Sequence, residues 1–91
     1  MSKTGEDAPL HAEDLPEAVE QTLEAMIAFQ RKKVAAEGNR INPRLTADDL
    51  MMGSDYPELA GDPRFNYEDG ILTGLLEAQI AIRSRVLRRL S

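Results

Sequence analysis

The stretch that decides the fold is "LPEAVEQTLEAMIAFQRKKVAAE", residues 15–37, which contains no glycine and a single proline near its start. Asp14 precedes it as a candidate N-cap, and Glu17 three residues later completes a capping-box pattern. Gly38 follows, and glycine suits the left-handed residue that often closes a helix. The pattern predicts a first long helix over residues 14–37.

A second long helix is predicted over residues 67–90. Asn66 can cap it, and Glu68 and Asp69 fall in its first turn, where acidic side chains favour the positive end of the helix dipole. Residues 1–13 combine acids, glycine and proline with one leucine, a composition that predicts a flexible tail. The folded part is therefore predicted to be one helical domain over residues 14–91.

The central segment, residues 38–66, has a proline or glycine every few positions. Because a structureless connection of this length is unusual in a compact domain, we predict that it contains short helical turns. Thr46 and Asp49 form a capping pair for the first turn, and Gly53 and Gly61 are predicted to stop the turns. The side chains predicted to be buried in this segment are Leu50, Met51, Tyr56 and Leu59.

Both long helices carry apolar side chains over a wide arc. Their apolar and weakly polar residues cover roughly 200° of the surface, whereas a helix that lies on one surface needs only about 100°. In the first helix this arc includes Leu15, Val19, Leu23, Met26, Ile27, Phe29 and Val34. Large apolar patches usually mark an association surface, so we predict a homodimer that forms a four-helix bundle.

Charge predicts the direction of the two helices. Residues 1–24 contain seven acids and one lysine, whereas residues 71–91 contain four arginines and one acid, Glu77. An antiparallel hairpin brings these opposite charges together, and parallel packing would set like charges side by side. The predicted fold is therefore all-α, an antiparallel helical hairpin.

Gly70, Gly74 and Ala81 share one narrow band of the second helix. Glycine inside a helix costs about 1 kcal/mol relative to alanine, so the band predicts close packing of another backbone, from the central segment or from a partner's. The alternative is that Gly70 only eases the first turn and Gly74 is tolerated there.

The sequence offers little for catalysis or metal binding. There is no cysteine, and the only histidine is His11, in the predicted tail. No ligand spacing for calcium or a di-iron site is present, nor is a nucleophile motif or a phosphate-binding loop. We predict no catalytic residue, no metal and no cofactor.

The composition also predicts where the protein works. The absence of cysteine, of an apolar signal segment and of a membrane-spanning stretch predicts a cytoplasmic protein. The net charge of −5 argues against general attraction to nucleic acid or to anionic membranes.

The function predicted from these features is protein–protein interaction or regulation without catalysis. A partner is predicted to dock on residues 50–59 with Met51, Met52 and Tyr56 as anchors, because methionine adapts to varied surfaces and tyrosine supplies a large contact area. The alternative for these three residues is that they fill the core.

Two other functions stay open. The chain could be a small helical enzyme or a binder of an anionic metabolite that uses Arg40, Arg44 and Arg83 as a carboxylate clamp. It could also associate with nucleic acid through "RSRVLRR", residues 83–89.

Overall fold

The computed structural model describes residues 12–88, and over that range the chain is all-helical without a strand. The helices are α1 (Leu15–Ile41), α2 (Ala47–Met51), α3 (Pro57–Ala60) and α4 (Pro63–Ile82). Short 3₁₀ turns cover Ala12–Asp14 and Gly53–Asp55, and a π-helical turn, Arg83–Leu87, extends α4. Most of the predicted tail, residues 1–11, and residues 89–91, which include the predicted end of the second helix at residue 90, lie outside the described residues.

The helices α1 and α4 pack against each other as an antiparallel hairpin. Gln30, late in α1, donates to the carboxylate of Glu68, early in α4, at 2.7 Å. Arg83, just after α4, donates to Glu20, early in α1, also at 2.7 Å. The direction that charge predicted is therefore the direction the structure shows.

The first helix starts as predicted and ends later. Asp14 is its N-cap residue, but the Asp14 side chain makes no capping hydrogen bond, so the predicted capping box is not formed. The helix passes through Gly38 to Ile41, and no described residue has a positive φ. Gly38 is instead a close-packing position, because a Cβ built there would collide with the Leu50 side chain of α2. The prediction that Gly38 closes the helix is wrong.

The fourth helix starts four residues before the predicted position. The Asp62 carboxylate accepts from the backbone N–H of Phe65 at 2.8 Å, and Pro63 occupies the first turn, where its missing N–H does no harm. Asn66, the predicted cap, lies inside the helix and donates its side-chain amide to the Ala60 carbonyl.

The connection, residues 42–62, folds over one side of the hairpin. Thr46 and Asp49 form the predicted capping box at α2: Asp49 N–H donates to the Thr46 hydroxyl, and Thr46 N–H donates to the Asp49 carboxylate. Leu50 and Leu59 are buried, as predicted, and Tyr56 is half-buried. Met51 was predicted to be buried but is 71% exposed.

The main core lies at the connection end of the hairpin. It joins side chains from both long helices to those of the connection: Ile27, Val34, Leu50, Leu59, Phe65 and Leu72. Phe65 is the largest of them and sits against Gly53, where a Cβ would approach the Phe65 ring to 2.8 Å. The glycines that permit close packing within this chain are therefore Gly38 and Gly53.

Candidate functional site

Each long helix has a row of buried residues that packs against the other helix, which we call its packed stripe, and an exposed flank on either side of that row. The stripe of α1 contains Leu23, Ile27, Gln30 and Val34, and the stripe of α4 contains Leu72 and Gln79. Gln30, which the sequence analysis did not single out, is 5% exposed and donates to both the backbone and the side chain of Glu68. These hydrogen bonds satisfy the buried Gln30 side chain and hold the packed stripes of α1 and α4 together.

One flank of each helix lies under the connection. Arg31 and Ala35 of α1 and Asp69 of α4 line a groove together with Ala47 and Met51 of α2. We call this the connection side of the hairpin. Because the two packed stripes face each other, the remaining flank of α1 and the remaining flank of α4 lie together on the opposite side of the hairpin.

That opposite side carries most of the exposed large apolar side chains of the long helices, and we call it the far face. Its members recur at the i±3, i±4 and i±11 spacings that place residues on one side of a helix. On α1 they are Leu15, Met26 and Phe29, and on α4 they are Tyr67 and Ile71. Phe29 is 63% exposed and Tyr67 is 68% exposed, fractions far above those of a packed aromatic side chain.

The far face holds few charges. Thr22 and Ala78 continue the uncharged surface between the larger side chains. Lys33 stands at one end, with its Nζ 5.5 Å from the centre of the Phe29 ring. Arg85 stands towards the other end, and Glu68, three residues before Ile71, borders the flank between them with its carboxylate accepting from Gln30. A surface with few charges is suited to burial against another apolar surface.

The three predicted docking residues differ in how far their side chains are exposed. Met51 and Met52 are 71% and 58% exposed, so they do not fill the core. Tyr56 is half-buried, and its hydroxyl donates to the Asp49 carboxylate at 3.1 Å. The backbone N–H and hydroxyl of Thr46 and this Tyr56 bond lower the pKa of Asp49, and the same carboxylate raises the pKa of Tyr56. Tyr56 is therefore held as part of the α2 cap.

The groove beside Met51 is small and apolar. Its volume is about 100 Å³, and its floor is made by Val34, Leu50 and Leu72. Arg31 and Asp69 stand at its rim. A space of this size takes one apolar side chain rather than a drug-sized molecule, whose pockets are about 300 Å³ or larger.

The structure does not bring Arg40, Arg44 and Arg83 together. Arg40 donates to Glu37 and to Asp62, both within 2.9 Å, whereas Arg83 donates to Glu20 and forms an ion pair with Glu24 at 3.5 Å. These two arginines lie at opposite ends of a hairpin whose helices rise about 1.5 Å per residue, so roughly 30 Å separates them. Arg44 is exposed in the connection, where its backbone N–H donates to the side chain of Asn42.

The ion pairs account for the electrostatics of these arginines. The Glu37 carboxylate and then Asp62 raise the pKa of Arg40, and Glu20 raises the pKa of Arg83. In return, Arg83 lowers the pKa of Glu20. Arg40 and Arg83 therefore serve to fasten α1 to α4 and its flanking turns.

The predicted close-packing band faces solvent. Gly70, Gly74 and Ala81 are exposed, and a Cβ built at Gly70 or at Gly74 would meet no atom within 4 Å. The central segment of the same chain therefore does not pack there, because it folds over the connection side instead. Close approach by a partner chain stays a prediction.

The described residues offer no metal site and no membrane span. Among residues 12–88, no group of three or more His, Cys, Asp or Glu side chains is placed to hold an ion. His11 lies outside that range. No described helix combines the length and the apolar character needed to cross a bilayer. No protein-family model, no curated protein and no solved structure matches this chain.

Proposed function

We propose that this protein is a small helical interaction protein that self-associates through its far face and carries out no catalysis. The observation that carries the proposal is the exposure of Leu15, Met26, Phe29, Tyr67 and Ile71, which helical spacing places on one side of the hairpin, away from the connection. Exposed apolar side chains scattered singly are ordinary on a protein surface, whereas several of them on one face are typical of an interface.

The size of the far face supports a dimer. From Leu15 to Lys33 the face is about 27 Å long at 1.5 Å per residue, and two helices of about 10 Å each make it roughly 20 Å wide. The flat area is therefore about 540 Å², before the relief of the side chains is added. A stable interface buries about 800 Å² per partner, and most crystal contacts bury less than about 400 Å² per partner. Two hairpins joined by this face form a four-helix bundle.

Sedimentation equilibrium of the full chain tests the proposal. Phe29→Glu places a charge in the middle of the far face, and we expect it to weaken association at least tenfold relative to the wild type. Ile80→Glu is the matched control, because Ile80 is 66% exposed but lies three turns after Asp69 on the connection side. A wild-type chain that sediments as a fully helical monomer at micromolar concentration would refute self-association.

A second interaction surface is supported by the exposed methionines. Met51 lines the apolar groove, Met52 follows it in the chain and is 58% exposed, and methionine side chains adapt to partners of different shape. We propose that a partner protein inserts an apolar side chain into this groove, with Met51 as the main contact and Tyr56 holding α2 in place. The double variant Met51→Ala/Met52→Ala should keep the wild-type melting temperature and lose partners captured from the native cell.

The remaining alternatives find less support in the geometry. An anion site made by Arg40, Arg44 and Arg83 requires these side chains to converge, and they do not. Nucleic-acid binding through the C-terminal arginines has to rely on Arg85 and Arg88 among the described residues, since Arg83 is paired with Glu20 and Glu24. On the ground that the chain has no cysteine, we keep the cytoplasm as the proposed location.

A further inference from the structure

Two contacts fix which residues of α1 and α4 stand at the same level of the hairpin. Gln30 is level with Glu68, and Glu20 is level with Arg83. Halfway between these contacts, Met26 is level with Leu75. This level is close to the middle of the far face.

Large and small side chains occupy different parts of the far face. Towards the connection end, Phe29, Tyr67 and Ile71 rise from the surface with large exposed side chains. At the levels just beyond Met26, the surface is made of small residues, Thr22 on α1 and Ala78 on α4, before the large side chain of Leu15 at the start of α1. The face is therefore raised on one side of its middle and recessed directly on the other side.

From this relief we propose that the dimer is antiparallel, with a two-fold axis perpendicular to the helices that passes beside Met26 and Leu75. This arrangement rests on the proposed self-association and specifies its geometry. It packs α1 against the partner's α1 and α4 against the partner's α4. Phe29 then lies over Thr22 of the other copy, and Ile71 lies over Ala78, so that raised and recessed halves interlock. A two-fold interface is self-complementary in this way by symmetry.

The charges at the two ends of the hairpin do not distinguish the two possible two-fold arrangements. The connection is acidic, since Asp48, Asp49, Asp55, Glu58 and Asp62 stand there with Arg44 as its basic residue. The opposite end carries the exposed arginines Arg85 and Arg88 together with the exposed acids Glu13, Asp14 and Glu17. The choice of arrangement therefore rests on the relief.

The competing arrangement has its two-fold axis parallel to the helices. It packs α1 against the partner's α4 and places both connections at one end. Raised halves would then meet raised halves. In that bundle the two α1 helices lie on a diagonal, about 13 Å apart for neighbouring helices 8–10 Å apart, whereas the antiparallel dimer makes them neighbours.

Engineered cysteines distinguish the two arrangements, because the chain has no cysteine of its own. A disulfide needs Cα atoms less than about 7 Å apart. We expect Met26→Cys to form a covalent dimer as the major species under mild oxidation, and reductant to reverse it. We expect an equimolar mixture of Thr22→Cys and Ala78→Cys to form none, because these positions meet only in the competing arrangement. Ala28→Cys, exposed on the connection side, is the control and should stay monomeric on denaturing gels.

The same variants, with their cysteines kept reduced, are also measured by sedimentation equilibrium. Each combination of cross-linking and sedimentation results then has a separate meaning. A dimer that cross-links between Thr22→Cys and Ala78→Cys, or one in which Met26→Cys does not cross-link, overturns the antiparallel arrangement and leaves self-association standing. A dimer that cross-links through Ala28→Cys overturns the choice of face. A reduced chain that is monomeric throughout overturns self-association and the arrangement together.

Discussion

Replacing single glycines by alanine tests which backbone positions of this fold are crowded. At Gly70, inside α4, an added Cβ meets no atom within 4 Å, so the substitution adds only the better helix propensity of alanine. The expected gain is about 0.5–1 kcal/mol. For a domain of this size, a change of 1 kcal/mol shifts the melting temperature by about 4–8 °C, so Gly70→Ala should melt about 2–8 °C above the wild type.

Gly53→Ala is the contrasting substitution. Its Cβ would approach two atoms of the Phe65 ring to 2.8 and 2.9 Å, and Phe65 is only 2% exposed. The ring cannot turn away into solvent, so the connection must shift, and overpacking of this kind costs about 1–3 kcal/mol. The variant should therefore melt clearly below the wild type.

The assay is thermal unfolding followed by far-UV circular dichroism, with all three proteins at one concentration. Equal concentrations are needed because the stability of an associating protein depends on concentration. A Gly70→Ala variant that melts below the wild type would refute the reasoning, since it would mean that a second chain covers the band. A Gly53→Ala variant as stable as the wild type would mean that the Phe65 ring is not confined as described.

Two further predictions concern the caps. Thr46→Ala removes the hydroxyl that accepts from Asp49 N–H and should lower the free energy of unfolding by about 1 kcal/mol in urea titrations, whereas Thr73→Ala, at an exposed position inside α4, should leave it unchanged or slightly raised. The pKa of Asp62 is lowered first by the backbone N–H of Phe65 and then by Arg40, so the folded state binds this proton more weakly than the unfolded chain does. The stabilisation that the Asp62 carboxylate provides is present above the unfolded pKa, about 3.9, and is lost as the pH falls through the lower folded pKa. Asp62→Asn keeps a capping oxygen but cannot bind this proton, so its acid unfolding should depend less steeply on pH in this range.

The sequence could predict both long helices and the turn at α2, because capping residues and the absence of interior breakers are local signals. It could not predict the helix ends, where two local signals compete and packing decides. Gly38 is compatible with a helix end and with a helix interior, and the Leu50 side chain packed against it selects the interior. Asp62 and Asn66 are both good caps, and α4 starts at the one that Pro63 follows.

The candidate interface was only partly predictable, for a geometric reason. An apolar arc of roughly 200° shows that a helix has more than one apolar neighbour, but not which part of the arc each neighbour covers. Met26 and Phe29 belong to the same predicted arc as Leu23 and Ile27, yet only the latter two are buried in the hairpin. The burial of Gln30 could not be predicted either, since its polar side chain gives no sign in the sequence that it lies in the packed stripe.

The uneven core gives the antiparallel arrangement a consequence for stability. At the connection end, Leu50, Leu59 and Phe65 add their burial to that of the two helices, whereas the opposite end is closed mainly by Leu23 and Leu87. Regions with few buried apolar side chains open at lower free energy than the core, so the end of the hairpin that carries the chain termini is the end expected to fray. In an antiparallel dimer each fraying end lies against the well-packed end of the other copy. Dimerisation would then order the part of the hairpin that its own core stabilises least.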